Sequence, residues 1–439
     1  MNPGEAAPAR SAAYEVLRRV FEHGAWADRA FPSAADRHGL DPRERRQAQR
    51  LAYGAVQRRG TSDRLITELA ERPVTRLDAP VVAALRLGLY ELLFSEATPD
   101  HAAVDQAVEL AKGDGGGRRR AGASLVNAVL RRAAAGGDLL AALDDDTPEG
   151  AAARHSYPGW LARMWWSELG PDGARSLMAA MNEPRESAFR VNTLKADPEA
   201  ATEELRASGD PVVHRGSGPL WPPEAIVVEG SLSDGLRARI ARGELVPQAR
   251  SSQAVVATLD PRPGQRVLDL CAAPGIKTTA IAARMCDRGE VVAVDRDPGR
   301  ARQLGELCER LGATAVRLIV GDAAEIDLGG GYDRVLVDPP CSDLGTLASR
   351  PDARWRKSPE LIERVAGVQA AILDRAVDAL NADGALTYSV CTISVREGPA
   401  RVEPLVASGR VKPVDPELVQ LRPDHDRTDG FFIARMERA

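Results

Sequence analysis

VLDLCAAPGIKTTAIAARM (267–285) reads as a short apolar strand, a tight loop and a helix. Outward from it the same alternation continues. RVLDL (266–270), EVVAVD (290–295), VRLIVGD (316–322), YDRVLVD (332–338) and ALTYSV (385–390) are apolar runs of the kind that fill a parallel sheet. Between them, Asp297-Pro298 supplies an N-cap followed by Pro at the first helical position, and Leu304, Leu307, Cys308 and Leu311 then share one face. Ser358-Pro359 opens another helix, carrying Leu361, Val365, Ile372, Ala376 and Leu380. From Gly264 onward the pattern predicts a doubly wound α/β domain, a fold whose ligands bind at the carboxyl ends of the strands.

The loop of the first unit narrows the ligand. A dinucleotide fingerprint needs GxGxxG so that backbone can approach a pyrophosphate, and this loop has one glycine, Gly275. A P-loop needs GxxxxGK[ST], and Ile276 separates Gly275 from Lys277. Both phosphate readings fail. S-adenosylmethionine (SAM) carries no phosphate, so a shorter loop with one glycine admits its methionine portion. The second strand ends in Asp295, 26 residues after Asp269, placed to accept hydrogen bonds from ribose hydroxyls. The third ends in Gly321-Asp322, placed to meet an adenine amino group. Any one of these acids alone would read as a cap or a turn residue. Three strand-end signals in register make a SAM site the better reading.

The rest of the chain sets the context. Its 439 residues exceed what one core usually supports, so two or three domains are expected. With 28% charged residues, short apolar runs and a mean hydropathy of −0.26, a membrane span is excluded. No secretory signal is read at the N-terminus, and a cytoplasmic protein is expected. To about Arg132 the pattern is helical. Ala13, Val16, Leu17, Val20 and Phe21 form one amphipathic face; Leu85, Leu89 and Leu92, then Val104, Ala107, Val108 and Ala111, then Leu125, Val126, Val129 and Leu130, form others. GDGGGRRRAG (113–122) is a glycine-rich loop with three arginines, and AAAGGDLLAALDDDTPEG (133–150) is a linker. HSYPGWLARMWWSEL (155–169) reads as a helix with Trp160, Trp165 and Trp166, while SAFRVNTL (187–194) and EAIVVEG (224–230) read as strands of a small α+β module. The predicted domains are a helical one (1–140), the linker and small module (141–260) and the α/β domain (261–439).

Net charge is −5, unlike a protein that merely coats nucleic acid. Charge is nevertheless segregated, because residues 1–60 hold 11 Arg against 7 acids. The Arg excess fits codon bias as well as it fits phosphate recognition. Arg43, Arg45, Arg46, Arg50, Arg58 and Arg59, with Arg118 to Arg120, are the candidate phosphate contacts; their bland alternative is a solvated helix face and an ordinary loop.

Five cysteines (Cys271, Cys286, Cys308, Cys341, Cys391) lack CxxC or His partners, so neither a metal site nor a disulfide framework is expected. Cys286 and Cys308, in or just after helices, read as packing residues, and Cys271 as a shape-determining residue of the loop. Cys341 and Cys391 are different. They follow the fourth and fifth strands, in Asp338-Pro339-Pro340-Cys341-Ser342 and Tyr388-Ser389-Val390-Cys391-Thr392, where the fold puts its chemistry. Asp-Pro-Pro also occurs in amino-methyltransferases, which follow it with an aromatic that stacks on the target base. Cys341 cannot stack. A carbon target fits better, because C5 of cytosine becomes nucleophilic only when a thiolate adds to C6, and a second cysteine can help to release the product.

LDLCAAPGIKTT, AVDRDPGR, VGDA, VLVDPPCSDLGTLASRPDARW, TYSVCTISVREG and GFFIARM together resemble the RNA cytosine-5 methyltransferases of the RsmB/Sun/Fmu type, and ASLVNAVLRR (123–132) resembles a NusB-like RNA-binding domain. The resemblance spans essentially the whole chain. It implies an all-helical NusB-like domain, a small α+β RNA-binding module and a Rossmann-like SAM methyltransferase domain. It implies Cys391 as the nucleophile and Cys341 as the residue that assists breakdown of the adduct, with Asp338 and Lys277 orienting the cytosine. It implies SAM contacts from Cys271, Ala272, Ala273, Pro274, Gly275, Ile276, Lys277, Asp295, Asp322 and Asp338, with Arg300 a further candidate. The implied substrate is a cytosine of 16S ribosomal RNA, acted on by a monomer with no membrane partner. Transfer RNA, and a non-catalytic RNA-binding or ribosome-assembly factor, are the alternatives. Ile276, Pro339, Val390 and Arg396-Glu397-Gly398 depart from the usual family residues and bear on the shape of the base pocket.

Overall fold

The structure, a computed structural model, describes residues 6–96, 98–113, 117–214, 218, 220–230 and 232–439, with the side chains of 117–120 and 415–417 outside the described residues. The chain forms two compact units, 1–183 with 347–357, and 184–346 with 358–439. Among the described residues no helix is long and apolar enough to cross a membrane.

The first unit is helical: α1 (Pro8–His23), α2 (Ala27–Arg37), α3 (Pro42–Gln57), α4 (Arg59–Leu69), α5 (Ala79–Phe94), α6 (Asp100–Lys112), α7 (Gly117–Ala135), α8 (Pro148–His155) and α9 (Gly159–Ala180). Helix α5 is apolar on most of its surface, as suits a central helix, and its buried Arg86 and Glu91 are paired with Asp63 and Arg10. Its Ala83, Leu87 and Tyr90 join a core with α1 to α3, and its Ala84, Leu85 and Leu89 join another with α4, α6 and α7. The face predicted for α1 is the buried one, through Ala13, Val16, Leu17 and Val20.

The arginines of residues 41–59 do not form one surface. Arg43, Arg46 and Arg50 are exposed. Arg45 is bonded to Asp36 and to the Leu40 carbonyl (3.3 Å). Arg58 lies over the Phe94 ring at 4.4 Å, and Arg59 over Phe21 and Trp355 at 4.9 and 5.2 Å. Those two guanidinium groups are taken up by aromatic faces within the unit, so the expected six-arginine face is reduced to three. The side chains of Arg118 to Arg120 lie outside the described residues.

The second half of the long Pro-Cys-Ser motif belongs to this helical unit. Trp355 Nε1 donates to the Val56 carbonyl (2.9 Å), and buried Arg354 donates to Ser156 O (3.1 Å) and Asn182 Oδ1 (2.9 Å) while lying 4.0 Å over the Tyr157 ring. Asp352 accepts from the Ala27 amide and from Arg356.

The second unit contains two sheets. The smaller uses β1 (Ser187–Val191), β2 (Val212–Val213), β3 (Ala225–Val228) and β4 (Leu245–Pro247) in the order β2-β3-β1-β4, all antiparallel. The larger uses β5 (Arg266–Leu270), β6 (Glu290–Asp295), β7 (Val316–Val320), β8 (Tyr332–Val337), β9 (Leu380–Val390), β10 (Val411–Leu421) and β11 (Phe431–Arg438) in the order β10-β11-β9-β8-β5-β6-β7. Strands β5 to β9 are mutually parallel; β11 pairs antiparallel with β9, and β10 with β11. The strand order reverses between β5 and β8, the topological switch point at which such sheets bind ligands. Asp297 caps the helix Pro298–Leu311 by accepting from Arg300 N, and Ser358 caps Pro359–Ala379 by accepting from Leu361 N, as their sequences predict. Leu380 begins β9 instead of ending that helix. The antiparallel edge formed by β10 and β11 was not among the strands expected from the sequence.

Candidate active site

The loop after β5 owes its shape to a few residues. Cys271 turns the chain at φ 62°, and Gly275 sits at φ 100° where a Cβ would meet Leu304 Cγ at 2.8 Å. Gly275 is thus required both by its backbone conformation and by the close approach of the next helix. The helix Ile276–Arg284 starts immediately after it. The partly buried side chain of Ile276 packs against Val246, Leu307 and Leu311.

Asp295, at the end of β6, is 3% exposed. Its Oδ2 accepts from Ala273 N and its Oδ1 from Asp297 N, both at 3.0 Å. It therefore ties the first loop to the second strand end while keeping lone pairs for a ligand. Arg300 reaches the Ala273 carbonyl and lies 3.9 Å from Asp295. Asp322 accepts from Ala324 N at 2.9 Å. Cys271, Asp295, Arg300 and Asp322 line one cleft, together with Arg296 and Pro340. Pro340 immediately precedes Cys341, so this cleft borders the cysteine loop.

On the other side of the switch point, Asp338 accepts from Lys277 Nζ at 2.7 Å and from Ser389 Oγ at 3.0 Å. Burial opposes the Lys277 ammonium, but the Asp338 carboxylate more than offsets this and leaves its pKa raised. The two strand-end cysteines meet, with Cys341 Sγ and Cys391 Sγ 3.2 Å apart. Cys391 Sγ also lies 3.2 Å from Asp343 Oδ1, and Cys341 Sγ 3.6 Å from it. The hydrogen bond from Cys341, together with burial and the Asp343 and Asp338 carboxylates, pushes the Cys391 thiol well above the ordinary range. The same bond acts in the opposite sense on Cys341, but burial, Asp343 and Glu397 leave it raised as well. Both thiols are thus pushed above the ordinary range, which favours their protonated form in the free chain. Cys271 is raised to about 12 by burial and by nearby carboxylates, which suits a residue of shape and not of reaction.

Comparison with known proteins fits this geometry. Residues 256–437 match the family model "16S rRNA methyltransferase RsmB/F", residues 7–135 the NusB family, and residues 157–232 the RsmF/B-like ferredoxin-like domain. A relative in Synechocystis sp., described as a probable ribosomal RNA small subunit methyltransferase B, is 30% identical over 98% of this chain and 99% of its own. The chain belongs to the RsmB/F methyltransferase family.

The ribosomal RNA small subunit methyltransferase B of Vibrio cholerae is 29% identical over 98% of this chain and 97% of its own. Among solved structures, PH0851 shares the fold with a TM-score of 0.78 at 24% identity over 99% of both chains. A methyltransferase homologue from Pyrococcus horikoshii superposes with a TM-score of 0.59 at 26% identity, covering 66% of this chain and 98% of that one. This RsmB/F-family chain is an RNA methyltransferase, and its cofactor is SAM. The residues that face the cleft suit SAM: carboxylates for the ribose and the adenine amino group, and a loop too short for a pyrophosphate.

Two residues of the site escaped sequence reading. Asp343 stands at φ 56°, a left-handed position that Asp tolerates, so in sequence it is indistinguishable from a turn residue. Glu397, fully buried, accepts hydrogen bonds from the segments after both cysteines. Its signal was an acid lying in a buried, β-branched stretch, which reads as a departure from motif when no partner is visible. Cys286, read as packing, is instead exposed at a left-handed turn, while Cys308 is buried as expected.

Proposed function

We propose that this RsmB/F-family enzyme methylates C5 of a cytosine in 16S ribosomal RNA through a covalent adduct between Cys391 and C6. The observation that carries the reading is the pair of thiols, 3.2 Å apart, at the ends of adjacent parallel strands beside the Lys277–Asp338 pair. Amino-group methylation has no use for two such thiols. Cys391 passes its proton to the Asp343 carboxylate, whose Oδ1 accepts its hydrogen bond at 3.2 Å, as its sulfur bonds to C6, and the electron pair of the C5–C6 double bond makes C5 nucleophilic. SAM, when bound, supplies the methyl group. Cys341, directly or through water, assists removal of the C5 proton, the double bond re-forms, and the C6–S bond breaks to return Cys391. Lys277 and Asp338 hold the base by its polar edge, and extrusion of the cytosine from its stack exposes C6 to attack.

In this reading Ala272, Ala273, Pro274 and Gly275 pass SAM's methionine portion through their backbone, and Asp295, Asp322 and Arg300 hold its nucleoside. Residues 1–140 form the helical RNA-binding domain, 141–260 a linker and small RNA-binding module, and 261–439 the catalytic domain, acting as a monomer in the cytoplasm. Incubation with labelled SAM and unmodified small-subunit ribosomal RNA or transfer RNA, followed by nucleoside analysis, tests it. 5-Methylcytidine in the ribosomal RNA is expected. Label confined to transfer RNA would change the substrate, label in another nucleoside would remove the chemistry, and no label in either RNA would favour an assembly factor.

A further inference from the structure

Strands β8 and β9 are held in register by their ladder only as far as the pair Val337–Tyr388, and both cysteines lie beyond it. Something other than the sheet must fix the separation of the two sulfurs. Glu397 is placed to do so. Its Oε1 accepts from the Ser342 amide at 2.8 Å and from Gln369 Nε2 at 3.2 Å. Its Oε2 accepts from Ser342 Oγ and from Thr392 Oγ1, the latter at 3.3 Å. Ser342 follows Cys341, Thr392 follows Cys391, and their hydroxyls are themselves 2.8 Å apart. Gln369 Nε2 also donates to the carbonyl of Pro340 at 3.0 Å, the residue before Cys341. The backbone of Glu397 is anchored in turn, since its carbonyl accepts from Tyr388 OH at 2.6 Å on the last rung of the ladder.

Ser342, Gln369, Thr392 and Glu397 are all 0% exposed. A buried carboxylate is costly unless donors surround it, and this one has donors from three separate segments. We propose that Glu397 is a positioning residue, whose carboxylate clamps the residues that follow Cys341 and Cys391 and thereby sets the distance between the two thiols. The inference rests on the reading of Cys391 as nucleophile and Cys341 as its releasing partner, and it adds the group that keeps them in register.

Glutamine makes the sharpest probe. Its oxygen can accept from the Ser342 amide and Gln369, and its amide can donate to the Ser342 and Thr392 hydroxyls, which rotate to accept. Leucine fills similar volume and bonds none of them. The primary readout does not depend on RNA. Diamide takes up two electrons and two protons as Cys341 and Cys391 form a disulfide, and peptide mapping identifies that pair.

Glu397→Gln is expected to close the Cys341–Cys391 disulfide at least as fast as wild type, since it keeps the bonds and removes a charge that holds the Cys341 thiol up. Glu397→Leu should close it more slowly by about a hundredfold, the order of effect that a misplacement of about 1 Å produces between reacting groups. With RNA, kcat should fall in the same ratio, while SAM affinity, set at other strand ends, stays the same. A Leu variant that closes the disulfide and turns over at the wild-type rate would overturn the clamp, as would a Gln variant as impaired as Leu. If Glu397→Leu does not bind SAM, Thr392→Ala serves instead, with slower closure supporting the clamp and unchanged closure overturning it. Fast closure in a wild-type chain that makes no 5-methylcytidine would reject the proposed chemistry and leave the clamp standing.

Discussion

Replacing Asp269 by asparagine should change how the stability of the α/β unit depends on pH. Asp269 sits at the end of β5, 1% exposed, beneath the cofactor loop. Its Oδ2 accepts from Thr278 Oγ1 at 2.6 Å, while no hydrogen-bond partner is found for Oδ1 among the described residues. Burial is the main influence and the Asp338 and Asp295 carboxylates add to it, so that despite Thr278 and Lys277 the pKa is pushed from 3.8 up to about 7. Between those two values the folded chain holds a proton that the unfolded chain has released. Stability therefore falls as pH rises through this window and levels off above it. At about 1.4 kcal/mol for each pKa unit, the loss across the window is of order 4 kcal/mol.

Asparagine keeps an acceptor for Thr278 and cannot ionise, so the loss should vanish. The assay is urea unfolding of both proteins at matched pH values from about 4 to 8, following the transition of the unit that carries β5. The variant should gain on wild type steadily toward pH 7 and hold its lead above it. Parallel curves for the two proteins would mean that Asp269 is ionised in its site, and the account of its burial would be wrong.

Other outcomes are equally specific. Asp295→Ala should weaken SAM binding by roughly 1–3 kcal/mol in calorimetry, as leaving ribose hydroxyls unpaired does; unchanged affinity would remove the residue from the site. Asp343→Asn keeps a residue tolerant of the left-handed backbone but removes a negative charge beside both thiols. Since that charge raises both thiol pKa values, alkylation of Cys341 and Cys391 by iodoacetamide should speed up at fixed pH, and its half-maximal pH should fall. The triple change Arg43→Ala, Arg46→Ala, Arg50→Ala should weaken RNA binding and make its salt dependence shallower, by roughly 0.7–0.9 in slope per lost phosphate contact. An unaltered slope would leave that helix face merely solvated.

Much of this architecture was legible because it is local. The parallel strands are apolar runs, their helices carry Asp-Pro and Ser-Pro starts, and the one-glycine loop by itself excludes two phosphate-binding motifs. The acids at the ends of β6 and β7 and the two cysteines at the ends of β8 and β9 follow from the same strand ends, because a parallel sheet puts consecutive carboxyl ends on one edge. Whatever depends on distant partners was not legible. Arg58 and Arg59 look like surface charges until Phe94, Phe21 and Trp355 are brought against them. The RPDARW segment looks like part of the catalytic motif, but its Arg354 and Trp355 are bonded within the helical unit. Glu397 gains meaning only when Ser342 and Thr392, far apart in sequence, converge on it. β10 was missed because Pro413 and a register shift after it break the period-2 pattern, and FFIARM of β11 reads as part of a motif and not as a strand.

The central claim is the division of labour between the two cysteines, and trapping of the enzyme on its RNA tests it most directly. Cys341→Ala and Cys391→Ala should each be incubated with SAM and small-subunit ribosomal RNA, denatured, and resolved for protein–RNA complexes. Cys341→Ala can form the C6–S bond but releases it poorly, so a denaturation-resistant band should accumulate with no trapping nucleotide. Cys391→Ala has no sulfur to add to C6 and should give neither band nor methylated product. A band from Cys391→Ala, with none from Cys341→Ala, would reverse the two roles. Full activity in both variants would contradict the cytosine-5 mechanism altogether.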